Sequence, residues 1–139
     1  MKISAKIDYA CRALLELALH WPNKEPLPIT EIADKEKIPV KFLVHILINL
    51  KNLGYIQSVR GNRGGYLLVK NPSEINLLEV IQNLKGSFLE TDNNNHNNSF
   101  MGSIWHEIQD EFLKGIQQIN FETICNRKRQ SDQTVNFEI

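Results

Sequence analysis

The sequence predicts a mainly α-helical fold with one small β-hairpin. Three observations support this fold class. Apolar residues recur at helical spacing in several segments, two short β-like runs separated by glycines lie mid-chain, and a long amphipathic stretch follows nearer the C-terminus. A chain of 139 residues has the length of one domain, with room for an appended oligomerisation element.

The first two helices have recognisable ends. We expect the first helix from about Lys6 to His20, with Ser4 as its N-cap, because apolar residues recur there at helical spacing. The segment Trp21-Pro22-Asn23 ends this helix, and a proline-rich connection follows. We expect the second helix to begin at Ile29 and end near residue 37.

The third helix, predicted from Val40 to Asn52, follows a break at Ile38-Pro39, since the residue before a proline disfavours the helical conformation. Pro39 can serve as the first residue of this helix, where its missing N–H costs nothing. The core stripe comprises Leu43, Ile46, Leu47 and Leu50. The opposite face carries Lys41, Val44, His45, Ile48 and Asn52. Two short helices with a brief break between them indicate a helix-turn-helix, whose second helix enters the major groove of DNA.

A glycine-punctuated hairpin after the third helix strengthens this interpretation. Gly54 closes the helix, and Tyr55–Val59 and Tyr66–Val69 have β character. The turn between them holds three glycines, which permit positive φ and close backbone approach. Arg60 and Arg63 in this turn suit a narrow minor groove, where negative potential attracts arginine. The predicted fold is therefore a winged helix-turn-helix; a phosphate-binding loop is set aside because no GxxxxGK[ST] motif follows a strand.

The charge distribution agrees with a nucleic-acid contact surface. The net charge is zero, but residues 35–70 carry seven Lys or Arg against one Asp or Glu. The flanking segments carry four against five (residues 1–34) and five against ten (residues 71–139). A solvated surface usually mixes both signs, so a locally basic segment on a neutral chain indicates a phosphate contact.

The C-terminal half is predicted to contain a fourth helix, a polar loop and a long helix. Asn76-Leu77-Leu78-Glu79 is a capping box for a helix through about Lys85, which Gly86 ends. The Asn-rich run that follows has no apolar anchor. We divide the chain into a winged helix-turn-helix DNA-binding domain (1–86), a flexible Asn-rich loop (87–103), a dimerisation helix region (104–124) and a tail (125–139).

The long helix, expected from Gly102 or Ser103 to about Asn120, carries an apolar stripe that a small domain need not bury alone. The candidate dimerisation residues are Trp105, Ile108, Phe112, Ile116 and Ile119. A second copy of the helix is the natural partner, which predicts a homodimer. Packing on the first helix of the same chain is the alternative, and the two can hold together.

Several of these segments resemble the Rrf-two (Rrf2) family of bacterial winged-helix regulators. The residues that carry the resemblance are Met1–Lys6, Tyr9-Ala10 before Arg12-Ala13-Leu14, Glu31-Ile32-Ala33, Ser58–Gly61 and Gly64-Gly65-Tyr66. The likeness covers roughly residues 1–124, and the wing is its most specific part. It implies a homodimer that binds a palindromic DNA operator.

The chain departs from the family pattern at the iron-sulfur ligands. Members that hold a cluster carry three cysteines between the fourth helix and the dimerisation helix, whereas residues 88–102 here contain none. The resemblance therefore implies that no iron-sulfur cluster of the family's usual kind is bound, and we expect no metal site. Asp8, His96 and His106 are conceivable ligands, but oxygen and imidazole groups without thiolates hold such clusters poorly.

The third helix, which is the recognition helix of the predicted helix-turn-helix, departs from the family pattern as well. Where many members resemble Tyr-Leu-Glu-Gln, this chain has Phe42-Leu43-Val44-His45. Glutamate accepts a hydrogen bond from cytosine, whereas valine can contact a thymine methyl group. We therefore expect an operator richer in A·T at that step.

The leading hypothesis is a dimeric transcriptional repressor. Lys41, Val44 and His45 are expected to read bases and Arg60 to enter the minor groove, while Lys51, Arg63 and the backbone of Gly61 or Gly64 position phosphates. The full set of candidate DNA-binding residues is Lys41, Val44, His45, Lys51, Arg60, Gly61, Arg63, Gly64, Gly65 and Tyr66. The second hypothesis is a regulator that acts mainly through a protein co-regulator, for which exposed Val44 and Ile48 would provide a surface.

Other classes of function receive less support. No paired carboxylates, Ser-His-Asp set or nucleotide loop occurs at interpretable spacing, so an enzyme is the weakest hypothesis. Two distant cysteines, Cys11 and Cys125, indicate neither a disulfide framework nor a zinc site. Without an apolar leader or a membrane-length run, a cytoplasmic location is expected. The signal sensed and the genes regulated are left open.

Overall fold

The computed structural model describes residues 2–22, 24–85 and 98–137. Its elements in chain order are helices α1 (Ala5–Leu19), α2 (Ile29–Glu36) and α3 (Val40–Asn52), strands β1 (Ile56–Val59) and β2 (Gly65–Leu68), a short 3-10 turn (Pro72–Glu74), and helices α4 (Leu77–Asn83), α5 (Phe100–Gln117) and α6 (Phe121–Phe137). The predicted mainly α fold with one β-hairpin is confirmed. Gly86 and residues 87–97 of the predicted Asn-rich loop lie outside the described residues.

Local hydrogen bonds explain where the N-terminal helices begin and end. The Ser4 hydroxyl accepts from the Ile7 N–H (3.3 Å), as predicted for the N-cap of α1. Pro39 is not the first residue of α3 but the cap before it, with an extended ψ of 129°. At the other end of α3, Gly54 has a φ of +85°. The Tyr55 N–H donates to the Leu50 carbonyl (3.1 Å), which turns the chain into the hairpin.

The hairpin is joined to the body of the domain by a third extended segment. Strands β1 and β2 are antiparallel, with Ile56 opposite Leu68 and Val59 opposite Gly65. Leu27 and Tyr66 exchange two backbone hydrogen bonds of 3.0 and 2.9 Å. The proline-rich connection between α1 and α2, predicted only as a linker, thus adds a bridge to the edge of the hairpin.

The C-terminal segment differs most from the prediction. Helix α5 ends at Gln117 rather than near residue 120, and the predicted tail from residue 125 is helical through residue 137. The Asn120 side chain accepts from the Thr123 N–H (2.9 Å) and so starts α6. The fully buried α6 side chains are Phe121 and Cys125, in its first two turns. Beyond them α6 is polar as far as Thr134, so apolar periodicity could not reveal its full length.

A single core joins α1 to the rest of the described structure. Helix α1 packs against α2, α3, α6 and β2. The most deeply buried side chains include Ala10, Ala13, Leu14, Ile32, Leu43, Leu47, Leu50, Val80 and Phe121. Because α6 supplies part of this core, its N-terminal half packs with the helix-turn-helix and is not a separate tail.

Two carboxyl groups meet where α1 and α2 pack. Glu16 is only 7% exposed and is hydrogen-bonded through its side chain to Glu36. Burial, followed by this hydrogen bond and the Glu16 charge, raises the pKa of Glu36 to about 7, although Arg12 and Lys128 act in the opposite direction. Glu36 therefore keeps its proton to a higher pH in the folded chain than in the unfolded chain.

This pair makes the stability of the domain depend on pH. Because the folded chain holds the Glu36 proton more tightly than the unfolded chain, the stabilising contribution is complete below about pH 4.5. It is lost as the pH rises to about 7. The variant Glu36→Gln should keep the hydrogen bond without a proton to lose. Its melting temperature should therefore decline less than that of the wild type between these two pH values.

Asp34→Asn is the matched control, because Asp34 is exposed on the same helix. It should follow the wild-type pH dependence in thermal unfolding monitored by circular dichroism. A Glu36→Gln curve parallel to the wild-type curve would contradict the raised pKa of Glu36.

Candidate nucleic-acid interface

Helix α3 presents an exposed face next to a buried one. Its predicted core residues Leu43, Leu47 and Leu50 are completely buried, and Ile46 is buried as well. The predicted outer residues Lys41, Val44, His45 and Ile48 are exposed. Residues 37–39 join α2 to α3, so the two helices form a helix-turn-helix.

The N-terminal end of α3 exposes more apolar surface than was predicted from the sequence. Phe42 is 53% exposed and Val40 is 44% exposed, and neither was included among the candidate contacts. Phe42 lies with Ala5 and Tyr9 of α1 in an apolar groove of about 380 Å³. The spacing from Leu43 already placed Phe42 off the core stripe, which was the signal that could have revealed it.

The wing is fixed to the C-terminal end of α3. The Lys51 ammonium donates a hydrogen bond to the Ser58 hydroxyl on β1 (3.0 Å). Lys51 was predicted to contact phosphate, and this bond places its charge between the helix and the wing. Ser58 was not among the predicted site residues, because only the folded hairpin brings it to Lys51.

The two arginines of the wing turn have different surroundings. Arg60 is exposed, and its guanidinium has no partner among residues 2–22, 24–85 and 98–137. Arg63 lines an open pocket of about 480 Å³ together with Glu25 and Glu31. Arg60 is therefore the freer cation, whereas Arg63 is close to carboxylates of its own chain.

The glycines of the wing have structural roles that the sequence did not separate. Gly61 has a φ of +117°, which favours glycine. Gly64 and Gly65 instead avoid collisions, since a Cβ at Gly64 would lie 2.5 Å from the Val59 carbonyl oxygen. A Cβ at Gly65 would likewise lie 2.4 Å from the Leu27 carbonyl oxygen. The Gly64 N–H already donates to the Gly61 carbonyl (3.0 Å). These contacts hold the turn together, and direct contact of the glycines with DNA stays a prediction.

Tyr66 joins the wing to the core. Its backbone N–H and carbonyl are both engaged by Leu27, and its partly buried ring packs against the hydrophobic core. A DNA contact by Tyr66 also stays a prediction, and such a contact would have to use the exposed part of the side chain.

The candidate dimerisation residues divide into exposed and buried ones. Trp105 is 57% and Ile108 is 55% exposed on α5, and Phe112 is partly exposed. Ile116 is only 8% exposed within its own chain, and Ile119 lies beyond the end of α5. The same exposed stripe is extended by two residues that the prediction missed, Phe100 (79%) and Met101 (49%).

The family model called Rrf2, described as an iron-dependent transcriptional regulator, matches residues 3–127 of this sequence. The chain belongs to the Rrf2 family.

Curated and solved relatives of this Rrf2 regulator agree. It is 30% identical to the HTH-type transcriptional regulator IscR of Photorhabdus laumondii, over 95% of this chain and 84% of that protein. The structure of T. potens IscR superposes with a TM-score of 0.77 at 26% identity, covering 94% of this chain and 90% of that one. The structure of CymR, the global cysteine regulator of B. subtilis, superposes with a TM-score of 0.74 at 25% identity. The match covers 91% of this chain and 98% of that one. The protein is thus a DNA-binding transcriptional regulator, since the relatives that it resembles are regulators and not enzymes.

The two cysteines of this Rrf2 regulator, Cys11 and Cys125, are free thiols. Burial, with a smaller contribution from Asp8, raises the pKa of Cys11 to about 11, and burial also raises the pKa of Cys125. In the described parts of the chain, no three His, Cys, Asp or Glu side chains are grouped to hold a metal ion. Nor does any described helix combine the length and apolarity needed to cross a membrane.

Proposed function

We propose that this Rrf2 regulator is a homodimeric repressor of a palindromic operator. In this proposal α3 enters the major groove while Arg60 enters the adjacent minor groove. The observation that carries the proposal is the hydrogen bond between Lys51 and Ser58, which joins the C-terminal end of α3 to the wing. A helix and a wing held together in this way can engage two neighbouring grooves in a fixed register.

The N-terminal half of α3 is proposed to read the bases. Lys41 and His45 carry hydrogen-bonding groups, and the 38% exposed Val44 offers a methyl surface. Because valine complements the thymine methyl group, the operator is proposed to be richer in A·T at the base pair facing Val44. This preference would distinguish it from operators of relatives with glutamate at that position.

The wing and the end of α3 are proposed to fix the position on the DNA backbone. Lys51 and Arg63 supply positive charge, and the Gly61 backbone lies in the exposed turn. Phosphate contacts of this kind set the orientation of the protein without reading sequence. Arg60 differs from them because a free guanidinium suits the narrow minor groove of A·T-rich DNA.

Arg60→Ala tests the central claim. After the operator has been selected from a library of randomised duplexes, affinity is measured by fluorescence anisotropy at one fixed salt concentration. Losing the minor-groove contact should weaken binding by roughly 1–3 kcal/mol, which is about 5- to 160-fold, and should relax base preference at the wing step.

Arg127→Ala is the matched control, because Arg127 is exposed on α6 at a distance from the wing in sequence. It should bind like the wild type. If Arg60→Ala retains full affinity and the wild-type base preference, the proposed role of the wing is wrong.

Dimerisation is proposed to use the exposed stripe on α5. Trp105 and Ile108 are each more than half exposed in the protomer, and large apolar side chains grouped in this way mark interaction surfaces. A second copy with the same stripe would bury both. The resulting twofold symmetry matches the proposed palindromic operator.

Ile108→Glu should disrupt this contact, because it places a carboxylate in an apolar interface. Light scattering after size-exclusion chromatography is expected to show a dimer for the wild type and a monomer for the variant. Gln117→Glu is the matched control, since Gln117 is exposed on the opposite side of α5 and introduces the same charge. A dimeric Ile108→Glu protein that elutes like the wild type would refute this assignment.

The regulator is further proposed to work without an iron-sulfur cluster. The support is the cysteine content: the sequence holds only Cys11 and Cys125, and residues 88–102, where the resemblance to cluster-binding members places three cysteines, contain none. Protein purified under anaerobic conditions with iron and sulfide supplied should show no visible absorption band of such a cluster. A stable band with matching iron content would overturn this proposal.

A protein co-regulator is the second candidate for how the chain acts. It is supported by the apolar exposed residues of α3, namely Val40, Phe42, Val44 and Ile48. Selection from the randomised duplexes separates direct operator recognition from action through a co-regulator. Purified protein that selects a single operator by itself needs no co-regulator for recognition.

A further inference from the structure

A polar groove lies beside α3, the helix proposed to read the bases. It has a volume of about 250 Å³ and is formed where the start of α1, the C-terminal half of α3 and the end of α4 meet. Its polar lining consists of Lys6, Asn49, Asn52, Asn83 and Lys85. Two leucines complete the lining, and no carboxylate belongs to it.

The groups of this groove are available to a ligand. The ammonium groups of Lys6 and Lys85 and the amides of Asn49 and Asn52 have no partner among the described residues. Asn83 is held in place because its amide donates to the Tyr55 hydroxyl (2.8 Å). Two unpaired cations beside several amide groups form a site that favours an anion.

The position of the groove on α3 relates it to the DNA. Residues of a helix are separated by about 100° each, so Asn49 and Lys51 lie about 200° apart around α3. Lys51 is on the flank that holds the wing, and Asn49 is on the flank that faces Lys6. The exposed side chains of Val44 and Ile48 lie between these two flanks.

An α-helix with its side chains is about as wide as the major groove, so both flanks of a docked helix approach phosphates. The apolar groove with Phe42 and Tyr9 continues the polar one, since Lys6 and Asn49 line both. A strip with apolar surface at one end and cations at the other matches the sugar and phosphate of a DNA strand.

We propose that this groove is a second phosphate-binding surface, in which Lys6 and Lys85 hold the DNA strand on the wall of the major groove opposite the wing. The proposal rests on the DNA-binding function and adds a contact from outside the helix-turn-helix and the hairpin. Such contacts strengthen binding to all sequences equally and leave base preference unchanged.

Salt dependence provides a direct test. The probe is a fluorescein-labelled, mixed-sequence duplex of about three helical turns, titrated with the full chain between about 50 and 200 mM salt. Each lost phosphate contact should reduce the slope of log K against log salt by about 0.9, or about 1.8 for the two copies in a dimer. Lys6→Gln and Lys85→Gln should each show this reduction of the slope and bind more weakly than the wild type throughout this range of salt.

Two control variants separate a local contact from a change in net charge. Lys114→Gln removes the same charge from an exposed position on α5 and should keep the wild-type slope. Lys6→Arg should also keep it, because a cation is retained. The preference for the selected operator over the mixed duplex, measured at one salt concentration, should be the same in all variants.

The possible failures can be told apart. If the wild type binds no duplex at low salt, the DNA-binding function itself fails. If the wild type binds but Lys6→Gln and Lys85→Gln keep its slope, only the second phosphate surface is refuted. An equal loss in Lys114→Gln would also refute it, because the effect would then come from net charge alone.

Discussion

The buried face of α1 is the constraint on which the rest of the described structure depends. Ala10 and Ala13 are completely buried there, and α1 packs against α2, α3, β2 and α6. Small side chains allow these elements to approach α1 closely, because a close-packed interior has little space for extra methylene groups. The same helix fixes the C-terminus of α2, since the Arg12 guanidinium donates to the Glu36 carbonyl (3.2 Å). Recognition helix, wing and α6 are therefore all placed by one surface.

The proposed dimer helix is connected to this body through backbone hydrogen bonds. The Leu77 N–H donates to the Ile119 carbonyl (2.9 Å), and the Phe121 N–H donates to the Ile75 carbonyl (3.0 Å). These bonds link the segment before α4 to the connection between α5 and α6. A dimer formed through α5 would consequently fix the distance and angle between two recognition helices. Operator spacing would then be a property of this connection as much as of α3 itself.

The parts that could be predicted from sequence are those with a local physical signal. The ends of α3 were predicted correctly because a proline precedes the helix and Gly54 follows it at positive φ. Ser4 and Asn76 were predicted as caps from their residue types and positions. In the structure, the side chain of each accepts from the N–H three residues later. Such signals are contained within a few residues of the chain, so no tertiary information is needed to read them.

The parts that could not be predicted depend on contacts between distant segments. Gly65 must be small because Leu27 lies against it, and nothing local to the wing reveals that neighbour. Ile116 looks like a dimer contact in the periodic pattern of α5, but it is buried within its own chain. Helix α6 was missed because its buried apolar residues end after two turns and a polar run follows, although the cap at Asn120 was present in the sequence.

The distribution of charge along the sequence likewise differs from the distribution of charge on the folded surface. Counting charge along the chain locates the basic segment at residues 35–70. Lys6 and Lys85 lie outside it, in segments where acidic residues outnumber basic ones, yet folding brings both to one groove beside α3. Screening confines the effect of an exposed charge to about 8–10 Å at physiological salt, so position in space decides what a phosphate senses. A protein with no net charge can therefore present cations on both flanks of its recognition helix.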